Sequence, residues 1–178
     1  ASDAKGLLKS ACRMSDPVLF MEHKGLYRQG YCSTPEPDEN FLIPFGKARR
    51  VQEGNRLTII TWGAMVQKAI EAVKEVGFGS RAIEIIDLRT LNPLDTEAIG
   101  TSLEKTGRAL IVYEDNITNG PGAEVAAIIS QDYFELLDGP IKRVAAKDVP
   151  IPFNWYLEEK VLPQTSDIVL AITELMEY

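Results

Sequence analysis

The run from Arg81 to Ile99 limits the fold more than any other part of the chain. Ala82, Ile83, Ile85 and Ile86 form a short apolar, mostly β-branched run. A strand buried on both faces has this composition. Asp87, Arg89, Thr90 and Asn92 gather at its carboxyl end. Pro93 stops the strand and biases Asn92 towards an extended or turn conformation. Asp95 is a good N-cap for a helix over Thr96–Lys105, because its carboxylate accepts from free amides of the first turn. In open α/β sheets, ligands and partners favour this end of a strand. Asp87 and Arg89 have a second use, pairing with each other to satisfy a loop, and structural ion pairs of that kind are common.

The same alternation runs through the rest of the chain. Leu57–Trp62, residues 82–86 and Ala109–Tyr113 read as strands, and Ile141–Ala145 as a shorter one. Helices are predicted over Met65–Val76, stopped by Gly77, over 96–105, over Glu124–Leu137, and after Pro163 with Asp167 in the first turn. Lys47–Glu53 is a charged edge strand, and Val149–Phe153 an irregular crossing. Strands alternating with helices predict an α/β fold, three layers α/β/α with a mostly parallel sheet. The amino end differs. Asp3 caps a helix to about Ala11, Ser15-Asp16-Pro17 ends it, and Val18–Met21 reads as a buried strand. One helix and one strand cannot cover both faces of that strand. Residues 1–29 are therefore expected to be a remnant of a second α/β domain. Residues 30–44, rich in proline and acids, form a linker, and 45–178 the main domain.

Charge and cysteine content exclude several functions. The net charge is −7 over 178 residues, which argues against nucleic acid or an anionic membrane as partner. An acidic surface suits a basic protein partner, or serves only solubility. Cys12 and Cys32 have neither metal-ligand spacing nor a disulfide pattern and read as reduced thiols. No apolar run reaches membrane-spanning length, and no targeting segment is visible.

Few residues carry recognisable chemistry. His23 is the only histidine; its neutral-range pKa suits acid–base work, but no third group orients it, and a strand-end or interface role competes. The loop from Ala11 to Asp16 follows a helix carboxyl end, whose outward carbonyls carry partial negative charge. With Asp16 they suit a hard monovalent cation, while water satisfies the same carbonyls in a plain cap. Asn119-Gly120-Pro121-Gly122 precedes a helix. It resembles a phosphate cradle, but Pro121 removes a donor and a tight turn explains the glycines equally. Trp62, Trp155 and Tyr156 suit either core or interface.

Several motifs together carry a family resemblance. They are Asp3–Ser10, Glu22-His23-Lys24-Gly25-Leu26-Tyr27-Arg28, Pro44-Phe45-Gly46-Lys47-Ala48, Ile86-Asp87-Leu88-Arg89-Thr90-Leu91-Asn92-Pro93-Leu94-Asp95, Lys105-Thr106-Gly107-Arg108 and Arg143–Asp148. In this order the chain resembles the carboxyl-terminal half of the beta chain of thiamine-diphosphate-dependent 2-oxo acid dehydrogenases. The resemblance implies a transketolase-like carboxyl-terminal domain. It implies oxidative decarboxylation of pyruvate or a branched-chain 2-oxo acid, with acyl transfer to a lipoyl group. Thiamine diphosphate and magnesium serve the complete enzyme, and the family's catalytic glutamate and histidine fall outside this chain. No catalytic or cofactor-binding residue is assigned here, and this portion alone is expected to be inactive. Implied partners are an alpha chain or the missing amino-terminal portion, and the lipoyl acyltransferase component, in a dimer or heterotetramer. The resemblance also implies a potassium site at Ala11, Cys12, Met14 and Asp16, although aspartate is common where Met14 stands and asparagine where Asp16 stands. It implies partner docking near Asp138 and Tyr178. The location is the bacterial cytoplasm or the mitochondrial matrix. The rivals are another transketolase-superfamily enzyme, such as transketolase or deoxyxylulose-phosphate synthase, and a non-catalytic assembly module.

Overall fold

In the computed structural model, which describes residues 1–79 and 81–178, the centre of the fold is strand β2, Leu57–Thr61, with every residue buried. It runs parallel to β3, Ile83–Asp87, on one side and to β4, Ala109–Asn116, on the other. β5, Lys142–Ala146, continues the parallel set beside β4. β1, Arg49–Gln52, closes the opposite edge antiparallel to β3, with a register shift between Arg50 and Gln52. The order among the described residues is β1-β3-β2-β4-β5. A strand as apolar as Ile83–Ile86, interrupted only by Glu84, needs cover on both faces, and receives it. Helices α2, Met65–Val76, and α6, Thr165–Glu177, pack over one face. Helices α3, Thr96–Thr106, and α4, Pro121–Asp132, pack over the other. This is the expected three-layer α/β/α arrangement with a mostly parallel sheet.

Caps fall where the residue types place them. Asp95 accepts from the Ala98 amide at 3.1 Å and, with its other oxygen, from the Ala48 amide at 2.8 Å. Gly77 ends α2 at φ 74°, in the left-handed region that favours glycine.

Four elements differ from expectation. Helix α1 spans Ser2–Ala11 and is capped at Ala1, so Asp3 lies inside the first turn. Val18–Met21 is not a strand, and Leu19 and Met21 are 87% and 82% exposed. An apolar run becomes a strand only beside a sheet edge that takes its backbone groups, and among the described residues none is paired with it. Helix α4 begins at Pro121, because a proline at the first turn loses no intrahelical bond. It stops at Asp132, where Tyr133 turns aside to donate its hydroxyl to the Thr96 carbonyl at 2.8 Å. Finally, α5, Trp155–Val161, forms in the connection before α6, capped by Asn154, whose side chain accepts from the Tyr156 and Leu157 amides.

Residues 30–44 run alongside α1 in the same direction. The Ala1 amino group donates to the Cys32 carbonyl at 2.8 Å, and the Ser2 amide to Thr34 Oγ1 at 2.8 Å. Gly6 packs against Phe41 and Ile43, and Ser10 Oγ donates to the Ile43 carbonyl at 2.6 Å. No helix of the described residues is long and apolar enough to cross a membrane.

Candidate functional site

The polar residues after β3 form a four-charge cluster. Asp87 ends the strand with a nearly buried side chain, and Arg49 reaches it from β1 at 3.0 Å. The same guanidinium takes Asp3 of α1 at 3.0 Å, and Arg89 approaches Asp3 at 3.6 Å. Arg89 does not pair its side chain with Asp87. At φ 57° its amide donates to the Asp87 carboxylate at 3.1 Å, while its guanidinium donates to the Lys47 carbonyl at 2.7 Å. Burial pushes the Asp87 carboxyl above the ordinary range, and Arg49 and the Arg89 amide offset only part of that. Two acids facing two arginines form a neutral set that docks α1 onto the sheet.

A second cluster lies at the carboxyl ends of β2 and β4. Between these strands the order of connections reverses, because α2 leads from β2 to β3 and α4 leads from β4 to β5. Ligands favour such a point. His23 lies there, its Nε2 3.1 Å from Glu114 at the end of β4. Lys68 of α2 donates to the Pro163 carbonyl and, at 3.2 Å, to Gln164 Oε1. Burial lowers the Lys68 pKa, and Glu114, Asp167 and Glu159 partly restore it. Among the described residues, Glu114 is the side chain hydrogen-bonded to His23. The pair ties the amino-terminal stretch to β4.

The other expected positions separate. In the loop at 11–16, the carbonyls of Leu8, Ser10 and Ala11 already accept from the Cys12, Arg13 and Met14 amides. Arg13 Nη1 donates to the Lys9 carbonyl at 3.0 Å, so a guanidinium already sits at the helix end where a cation would go. Cys12, Met14 and Asp16 are exposed. Among the described residues, no group of three or more His, Cys, Asp or Glu is placed to hold a metal ion. Among the described residues none is therefore grouped to hold magnesium beside a diphosphate. At 119–122 the glycines serve packing, since a Cβ on Gly122 would collide with the Tyr113 ring. Trp62 stacks on that same ring at 5.6 Å, which places it with the core.

Asp138 and Tyr178 do come together. The Asp138 amide donates to the Gly107 carbonyl at 2.7 Å, and the Tyr178 ring lies against Gly139. Both side chains are exposed, and they form one corner at the amino edge of the sheet.

The buried Glu84 has no counterpart among the sequence expectations. Its side chain is fully buried in β3. Ser102 donates to it at 2.5 Å and Lys105 at 2.6 Å, and Ser102 shares the Thr58 hydroxyl with Thr106. Burial alone would raise this carboxyl, but the Lys105 and Ser102 hydrogen bonds outweigh it and hold the pKa below the usual value. The available signal was one acid interrupting an apolar run, opposite Ser102, Lys105 and Thr106 on a helix.

Residues 46–168 match the family model "Transketolase, C-terminal domain". The chain is 44% identical over 176 residues to the pyruvate dehydrogenase E1 component subunit beta of Staphylococcus aureus strain Mu50, covering 99% of this chain and 53% of that protein. It is 40% identical over 178 residues to the same subunit of Rickettsia felis, covering 100% of this chain and 54% of that one. The chain thus spans about half the length of the curated relatives it matches. A solved split-gene transketolase, an inactive beta4 tetramer, superposes with a TM-score of 0.65 at 28% identity, over 79% of this chain and 44% of that one.

Proposed function

The chain belongs to the transketolase carboxyl-terminal domain family, and from that premise we propose that it is the carboxyl-terminal half of the beta subunit of a decarboxylating 2-oxo acid dehydrogenase component acting on pyruvate. The observation that carries this reading is the collinear 44% identity across 99% of the chain to a pyruvate dehydrogenase beta subunit. A branched-chain 2-oxo acid is the competing substrate. In the complete enzyme, thiamine diphosphate supplies the ylid and electron sink. This chain's part is to build the fold around the sheet and to hold partners: the missing amino-terminal portion, an alpha chain and the lipoyl acyltransferase. Residues 1–29 then close the preceding domain, 30–44 join it, and 45–178 form the partner-holding domain, in the cytoplasm of a bacterium. Self-association belongs to the same reading, supported by the beta-only tetramer of the related transketolase.

The Asp138–Tyr178 corner is the docking point for a basic subunit-binding domain, so Asp138→Lys weakens that binding. The loop of Ala11, Cys12, Met14 and Asp16 takes potassium only by displacing Arg13. A potassium-specific rise in melting temperature over sodium supports that site, and its absence removes it. The deciding experiment mixes this chain with the missing portion and an alpha chain and follows pyruvate decarboxylation. Activity from the mixture and none from the chain alone is expected. Cofactor binding by the chain alone would overturn the division of labour.

A non-catalytic assembly module is the second reading, favoured by the net charge of −7, which suits a basic protein partner. Reconstituted activity counts against it.

A further inference from the structure

We propose that the buried carboxylate of Glu84 fixes the register of edge strand β1, and thereby keeps Arg49 in the four-charge cluster that holds α1. Glu84 is then a positioning residue that connects α3 to α1 through the sheet edge. The device needs no partner chain and no cofactor, because every group in it belongs to this chain.

β1 cannot set its own alignment. It has four residues, Arg-Arg-Val-Gln, two exposed and two half-buried, and none fully buried. A strand without a clear buried face is weakly specified against slippage. Its alignment nevertheless matters. Arg49 stands opposite Asp87, and its guanidinium lies 3.0 Å from both Asp87 and Asp3. A slip of one residue turns a side chain to the other face of the sheet, which would take Arg49 from both acids.

Polar contacts supply what the pattern of β1 lacks. Ser102 and Lys105 hold the Glu84 carboxylate from the side of α3. From the side of β1, Arg50 Nε lies 3.5 Å from Glu84 Oε2, and the Gly54 amide donates to that oxygen at 3.4 Å. Gly54 makes this approach possible, since a Cβ there would stand 2.2 Å from the Glu84 amide nitrogen. Gln52 Nε2 adds a bond to the Ile83 carbonyl at 2.9 Å. The register shifts between Arg50 and Gln52. Glu84 thus anchors the chain before the shift, at Arg50, and after it, at Gly54. An apolar residue would fill this place in β3 without desolvating a charge. Specifying register is the best-attested use of a buried charge that stability alone does not require.

The test follows the full chain at neutral pH by amide hydrogen exchange over residues 49–52 and by tryptic cleavage at Lys24 and Arg28. Glu84→Gln keeps the side-chain shape and an acceptor for Ser102 but removes the charge. It should speed both readouts about fivefold or more, as local opening does. Val125→Ala, in α4, removes buried methyl groups away from β1. It should lower the melting temperature and leave both local readouts unchanged. Arg49→Ala should speed cleavage in the wild type and add nothing to Glu84→Gln, because residues acting through one another are not additive. Unchanged exchange in β1 with Glu84→Gln overturns the register role. Additive effects of Glu84→Gln and Arg49→Ala overturn the link to α1. Should Glu84→Gln fail to fold, Arg50→Gln decides: its side chain is 46% exposed, faster β1 exchange is expected, and unchanged exchange overturns the proposal.

Discussion

Residues 57–61 bury every side chain and pair with parallel strands on both sides, whereas none of residues 12–23 is buried and none lies in a strand. Both stretches contain apolar runs of similar character. Val18-Leu19-Phe20-Met21 is even more apolar than Ile83–Ile86, which Glu84 interrupts. What separates them is company: β3 has neighbours that take its amides and carbonyls, and helices over both faces. Regular structure in this chain follows from sheet pairing and two-sided cover more than from local composition.

The sharpest way to break the contrast is to remove the fully buried charge within β3. Glu84→Ala leaves the Lys105 ammonium without its carboxylate and the Ser102 hydroxyl with only Thr58. It should cost about 3 kcal/mol, the low end for breaking a buried pair because Lys105 is itself partly exposed. Leu19→Ala should change stability by less than about 0.5 kcal/mol. Denaturant midpoints of the two variants measure the difference. The pH dependence has a definite sign. The Glu84 pKa is depressed in the fold, so its stabilisation is present above the unfolded value of about 4.3 and is lost as pH falls through the folded value. Glu84→Gln should lack that acid-side loss. Asp87 is raised, so its contribution is present below about 3.9 and lost as pH rises through the folded value. Asp87→Asn should remove that loss on the rising side.

A smaller effect is expected where α4 meets β4. Gly122→Ala drives a methyl into the Tyr113 ring and should cost about 1–3 kcal/mol, read as a lowered melting temperature. The smallest change comes from undocking α1. Asp3→Ala removes the contacts to Arg49 and Arg89. These are partly exposed pairs, and global stability should fall by about 0.2–1 kcal/mol. Its clearer signature is faster tryptic cleavage at Lys24 and Arg28, where opening is local.

Elements with neighbours in sequence were the legible ones. Apolar periodicity located β2, α2, β3, α3 and β4, and Asp95 and Gly77 marked their ends correctly. Asp87 and Arg89 were visible as a pair of functional-looking charges. Their true arrangement depends on Asp3 and Arg49, which lie far away in sequence and carry no local sign of the contact. Helix α5 was missed because its side chains face outward, so no buried stripe repeats along it. Only the cap Asn154 announced it. The separation of Trp62 from Trp155 was equally hidden, since composition makes both aromatic and only the fold puts one against Tyr113 and the other in solvent.

The two outer strands have a consequence for the behaviour of the protein in concentrated solution. An open sheet edge is a template for fibre growth. β1 presents Arg49 and Arg50 and slips register at Gln52, and β5 presents Lys142 and Arg143 and loses register between Val112 and Asn116 of its neighbour. Charge and irregularity at both edges keep foreign strands from extending the sheet. Aggregation, when the chain is heated, should therefore wait for the core to open rather than begin on the native molecule.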